Sequence, residues 1–139
     1  MIFNMAITKA QVANRALWVE ALRSGKYEQT VLKLREGTPT DSCFCVWGVA
    51  CDVADPSLWA RADIRLEYVG DPWAYAGDLY TATQEVEEFY GLDLRAGGLR
   101  LGGTLISGND SGDMNFDELA DCIDLITLIE LDEVGATNG

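Results

Sequence analysis

Cys43 to Ala54 (CFCVWGVACDVA) is apolar on every face, and this stretch constrains the fold more than any other part of the chain. Periodicity cannot separate a buried helix from a buried strand in such a run. Its length and the Asp55-Pro56 stop behind it favour a helix, because the residue before a proline avoids helical backbone. On that helix Cys43, Trp47 and Cys51 share one face, and Gly48 lets another backbone come close.

The run is too short for the roughly 20 apolar residues a membrane helix needs, and the next candidate, Leu119 to Leu131, is broken by charge. The expectation is therefore one soluble domain over residues 1–139, 48% hydrophobic and able to bury a core without metals or disulfides. The opening MIFNMAITKAQ lacks the basic, apolar and small-residue sequence of a secretion leader, so a cytoplasmic setting is expected. In that reducing compartment Cys43, Cys45, Cys51 and Cys122 read as core residues. Their spacing also departs from the paired Cys-x2-4-Cys knuckles of structural zinc.

Around this run the chain reads as short elements. Thr8 and Gln11 fit a capping box for a helix over 9–24, with Ala10, Ala13, Leu17 and Ala21 as its stripe, Trp18 and Leu22 beside it, and Gly25 as its stop. Gln29–Arg35 reads as a strand followed by a loop to Asp41, and Asp63–Val69 as a half-buried strand. Thr81 and Gln84 predict a helix over 82–90 ended by Gly91, its Glu85, Glu87 and Glu88 pointing outward. Leu92–Ser107, punctuated by Gly97-Gly98 and Gly102-Gly103, predicts a hairpin or two short strands. Asn115 with Glu118 caps a last helix running to about 130, with Phe116, Leu119, Ala120, Ile123 and Ile126 buried and a frayed tail over 133–139. The expected fold is α+β, three or four helices packed on a small, mostly antiparallel sheet.

Charge divides the chain. Residues 1–70 are balanced, while residues 71–139 carry only Arg95 and Arg100 as bases, so the whole net charge of −13 arises there. A field of one sign repels nucleic acid and phosphate ligands and attracts basic protein surfaces. Asp117, Asp121 and Asp124 fall on one face of the last helix, about 6 and 4.5 Å apart along its axis at 1.5 Å per residue. Such a row can imitate part of a phosphate backbone. With no histidine, Ser-His and Cys-His catalysis and His-ligated metals are excluded within the chain. The glycines from Gly97 to Thr104 lack the lysine of a phosphate loop and read as a turn. Ser107–Glu118 aligns in part with a calcium loop, offering Asn109, Ser111 and Glu118 as ligands, but serine stands at the first ligand position. A polar turn leading into the Asn115 cap is the competing reading.

Four motifs in order carry a family resemblance: Trp18–Gln29 (WVEALRSGKYEQ), Cys45–Asp52 (CVWGVACD), Gly91-Leu92, and Asn109-Asp110 with Phe116–Ile123 (FDELADCI). The chain resembles a family of small uncharacterised bacteriophage and prophage proteins, of the actinobacteriophage type. Val46 and Trp47 depart from the adjacent cysteine and the leucine usual in those relatives, which argues against a shared thiol or metal site. The resemblance implies a phage or mobile-element setting, in which small acidic proteins often bind and block host proteins. It brings no catalytic residue and no cofactor.

Two kinds of function follow as expectations. The first is a non-enzymatic binding module whose acidic half, through Asp117, Asp121 and Asp124, engages a basic host protein as inhibitor or nucleic-acid decoy. The alternative is a small ligand-binding domain or enzyme with a pocket near Cys45, Trp47, Cys51, Asp52, Asn109 and Asp110. A structural or virion component is a third possibility compatible with the composition.

Overall fold

The computed structural model describes residues 7–62, 72–92, 105 and 108–138, and for 133–138 the backbone alone. Within them the fold is α+β. Helix α1 spans Lys9–Arg23, α2 Val46–Ala54, α3 Gln84–Tyr90 and α4 Phe116–Asn138, with a short 3-10 turn at Pro56–Leu58. The strands are β1 Glu28–Gln29, β2 Arg35–Thr38, β3 Asp41–Phe44, β4 Trp59–Arg61 and β5 Trp73–Tyr75. One sheet has the order β1-β3-β2, with β1 parallel to β3 and β2 antiparallel to it; β4 and β5 form an antiparallel pair. The expected strand over 63–69 and most of the glycine-rich segment 92–107 lie outside the described residues.

Local chemistry explains why the helices begin where they do. Thr8 Oγ1 accepts from Gln11 N while Gln11 Oε1 accepts from Thr8 N, both at 3.0 Å, a capping box that satisfies two donors at once. Asn115 and Glu118 repeat the arrangement at the start of α4. Helix α3 is capped by Thr83 rather than Thr81, because Asp78 already engages the backbone and hydroxyl of Thr81. Gly91 ends α3 with φ 69°, the left-handed turn glycine adopts without strain.

The apolar run divides. Cys43 and Phe44 finish β3, paired with Glu36 and Arg35, and the helix starts only at Val46. Cys43 therefore does not share a helix face with Trp47 and Cys51. Strand pairing wins there because β2 offers a hairpin partner across the turn at Pro39-Thr40. The single strand expected over 29–35 is likewise broken: Leu32 has φ 66°, which no strand tolerates. Helix α4 runs on to Asn138, past the end expected near 130.

Helix α1 is rotated from its expected orientation. Trp18, Val19, Leu22 and Arg15 are its buried face, while Ala10, Ala13 and Leu17 are exposed. Two large indoles decide this, since they carry more apolar area than a stripe of alanines. Trp18 lies 5.0 Å from Trp47 and 4.7 Å from Tyr90, centroid to centroid. The polar ends of Trp18 and Tyr90 are satisfied on α2: Trp18 Nε1 donates to Val46 O at 3.0 Å and Tyr90 Oη to Ala50 O at 2.7 Å. Leu34, Tyr75, Leu105, Leu119 and Ile123 complete the core. Glu87, expected to point outward, is buried. Among the described residues no helix is long and apolar enough to cross a membrane.

Candidate functional site

The residues of the expected pocket are held for structure, at the two ends of α2. Asn109 is fully buried and uses both ends of its amide: Oδ1 accepts from Gln29 Nε2 at 2.9 Å and from Val46 N at 3.1 Å, and Nδ2 donates to Thr30 O at 2.9 Å. Val46 N is one of the donors a helix start leaves unpaired, so Asn109 caps α2 from across the chain. Cys45 is the N-cap, its sulfur accepting from Gly48 N at 3.3 Å. Asp110 Oδ1 accepts from Leu32 N at 2.8 Å and fixes that residue in its left-handed conformation. Together Asn109 and Asp110 fasten the segment between β1 and β2.

Asp52 lies six residues beyond Val46, roughly 9 Å along the helix at 1.5 Å per residue. Its carboxylate accepts from Tyr27 Oη at 2.6 Å and Trp59 Nε1 at 3.0 Å. Among the described residues it shares no hydrogen-bond partner with Asp110. Around it stands a cluster that sequence reading missed: Arg35 stacks 3.8 Å from the Trp73 ring centroid, with Phe44 at 5.0 Å and Trp59 at 5.3 Å. A guanidinium covering aromatic faces this way stabilises by about 0.5–2 kcal/mol. The signal was available only as three aromatic residues scattered over thirty positions.

Trp47 is buried, and its Nε1 has no hydrogen-bond partner among the described residues. Burial pushes the Cys45 thiol up to about 12 and raises those of Cys51, Cys43 and Cys122, so none is an activated nucleophile. Burial also raises the phenols of Tyr27, Tyr75 and Tyr90. The sign of the linkage follows: these groups are neutral when protonated, and the native state keeps protons that the unfolded chain releases. Their contribution to stability is complete below the unfolded values, near 8.5 for thiols and 10 for phenols, and is lost as pH rises beyond them. With no histidine to titrate between about pH 5 and 8, the melting temperature is expected to be level from pH 6 to 8 and to fall above about pH 9. Thermal melts in high salt, where charge repulsion is screened, test this; equal melting temperatures at pH 7 and 10.5 would refute it.

The proposed calcium ligands are turned to other tasks. Asn109 faces inward as described, Glu118 Oε1 accepts from Asn115 N at 3.1 Å, and the Ser111 hydroxyl bonds the turn at Gly108 and Asp113. Residues 108–110 are themselves helical, so the loop geometry differs from the expected alignment. No three metal-ligating side chains gather among the described residues.

The acidic row is the part that stays on the surface. Asp117, Asp121 and Asp124 are exposed on α4, to one side of its buried Leu119, Ala120 and Ile123. Arg23, in the last turn of α1, reaches Asp121 at 2.6 Å and Asp124 at 3.0 Å. At 100° per residue the same outer face continues into Leu125 and Leu128, 58% and 64% exposed, and then Leu131. The sequence pattern shows the acids and the buried stripe of this helix but not Leu125, Leu128 and Leu131 as an exposed face. The exposed leucines become recognisable once Arg15 pins the register of α4 through Thr127 and Glu130.

These features define a small α+β domain with a core built on tryptophans and an acidic, leucine-bearing outer helix face. The chain belongs to the family described as "Domain of unknown function (DUF8296)", whose profile matches residues 9–127. That span runs from the first residue of α1 to Thr127 on α4. No curated protein and no solved structure matches the chain.

Proposed function

We propose that this protein is a non-enzymatic binding module of phage or prophage type, whose α4 outer face engages a basic surface of a host protein and blocks it. The observation that carries the reading is one helix face on which exposed Asp117, Asp121 and Asp124 are followed by exposed Leu125 and Leu128. Interfaces combine an apolar centre with a polar rim, and a field of one sign speeds encounter with an opposite partner. The net charge of −13, all from the second half, supports the sign of that partner. The competing pocket reading loses support because Asn109, Asp110, Cys45 and Asp52 are each engaged in holding α2 and its neighbours.

The test is capture from host lysate by the immobilised protein. A basic partner should be retained at low salt, released as salt rises, and lost from the D117N/D121N/D124N triple variant. These side chains are exposed, so the variant should fold as the parent does. Retention unchanged by the triple substitution would overturn the reading.

A further inference from the structure

We infer that the α4 face takes an arginine-bearing amphipathic helix, and that Arg23 occupies in advance the place of the partner's arginine. This rests on the binding reading above and names its partner. The first ground is geometric. One guanidinium sits between two carboxylates three residues apart, its Nη2 on Asp121 and its Nη1 on Asp124. A planar fork spans two acceptors in this way, whereas a lysine ammonium meets them only as a point charge.

The second ground is exposure. Asp121 and Asp124 side chains are 74% and 50% exposed with Arg23 in place, and Arg23 is itself 40% exposed. An ion pair this open contributes little, so an incoming guanidinium displaces it at small cost. The third ground is the apolar step beside it. Leu125 and Leu128 follow Asp121 and Asp124 by four residues, roughly 6 Å along the axis. A partner helix with an arginine and, about one turn away, apolar side chains would cover both. A second copy of this chain is a poor occupant, since it would bring another charge of −13 to the same face.

Arg23 is thereby an internal competitor that raises the threshold for weakly basic partners. The experiment uses three labelled synthetic amphipathic peptides, one carrying arginines beside leucines, one with lysines in their place and one with glutamates, titrated by fluorescence anisotropy. Wild type should bind the arginine peptide more tightly than the lysine peptide and not bind the glutamate peptide. Arg23→Gln should tighten arginine-peptide binding by roughly two- to fivefold, the range an exposed pair supplies. Lys26→Gln removes the same charge without vacating the carboxylates, and should change binding less. L125S/L128S should weaken it. If the peptide binds in an Asp121- and Asp124-dependent way but Arg23→Gln gives no more gain than Lys26→Gln, the competitor is refuted while the binding reading stands. If neither cationic peptide binds, both fall.

Discussion

Arg15→Met is expected to destabilise the protein by about 3–5 kcal/mol, the range for removing one member of a buried charged network. At this chain length that corresponds to a fall in melting temperature of roughly 10 °C or more. Arg15 is 1% exposed, and its guanidinium joins three helices. Nε donates to Tyr90 O at 2.7 Å and Nη2 to Gly91 O at 3.1 Å, while Nη1 reaches Thr127 Oγ1 at 3.0 Å and Nη2 also meets Glu130 at 2.9 Å. Desolvation lowers its pKa and the Glu130 carboxylate opposes that fall, so the charge is retained. Gln11 and Asn14 add bonds to Glu88 O and Phe89 O, so side chains of α1 satisfy the run of carbonyls that α3 leaves open at its C-terminus.

A companion variant separates the ion pair from the cap. Glu130 is 24% exposed, so its pairing is partly screened and Glu130→Gln should cost about 1 kcal/mol or less. If the ion pair were the main contribution, R15M/E130Q would recover much of the loss, because replacing both charges removes the unpaired one. Recovery is expected to be small, since the buried carbonyl of Tyr90 stays without its donor. Chemical denaturation of the three variants measures this. A double variant as stable as wild type would assign Arg15 to charge pairing alone.

Arg15 also shows where sequence reading stops. Signals that act within four residues were mostly legible: the capping boxes at Thr8 and Asn115, the Gly91 stop and the Asp55-Pro56 break stand where spacing placed them, while the cap expected at Thr81 falls at Thr83. An arginine on an amphipathic helix reads as solvated, and only residues 75 and more positions away make it a core residue. Asn109 is the same case, its amide partners lying 63 to 80 positions back in the chain. The motif it belongs to was visible, but its role as a tertiary helix cap was not. Asp117, Asp121 and Asp124 were legible because helical spacing alone sets their face. Arg23, seated on two of them, comes from a separate helix.

Gly48→Ala is the second large effect, and here the sequence pointed to the reason. The expectation that Gly48 admits another backbone is met by the Leu34 carbonyl, whose oxygen a Cβ at Gly48 would overlap; that Cβ would also lie 2.9 Å from Leu34 C. The obstacle is main chain, so no rotamer change relieves it. Leu34 cannot withdraw either. Its oxygen accepts from Cys45 N at 3.0 Å, its N–H donates to Leu79 O at 3.0 Å, and its side chain is fully buried. Separating α2 from this strand entry would disturb the Cys45 cap and, with it, the Val46 carbonyl that receives Trp18 Nε1. The cost is expected to be about 3 kcal/mol or more, at or above the upper end for overpacking. Gly25→Ala is the control: φ is +78° but nothing lies within 4 Å of the added Cβ, so only the left-handed backbone is penalised, by about 1 kcal/mol. Urea unfolding of the two variants distinguishes steric overlap from backbone strain, and a Gly48→Ala protein no less stable than Gly25→Ala would show that the Leu34 contact yields freely.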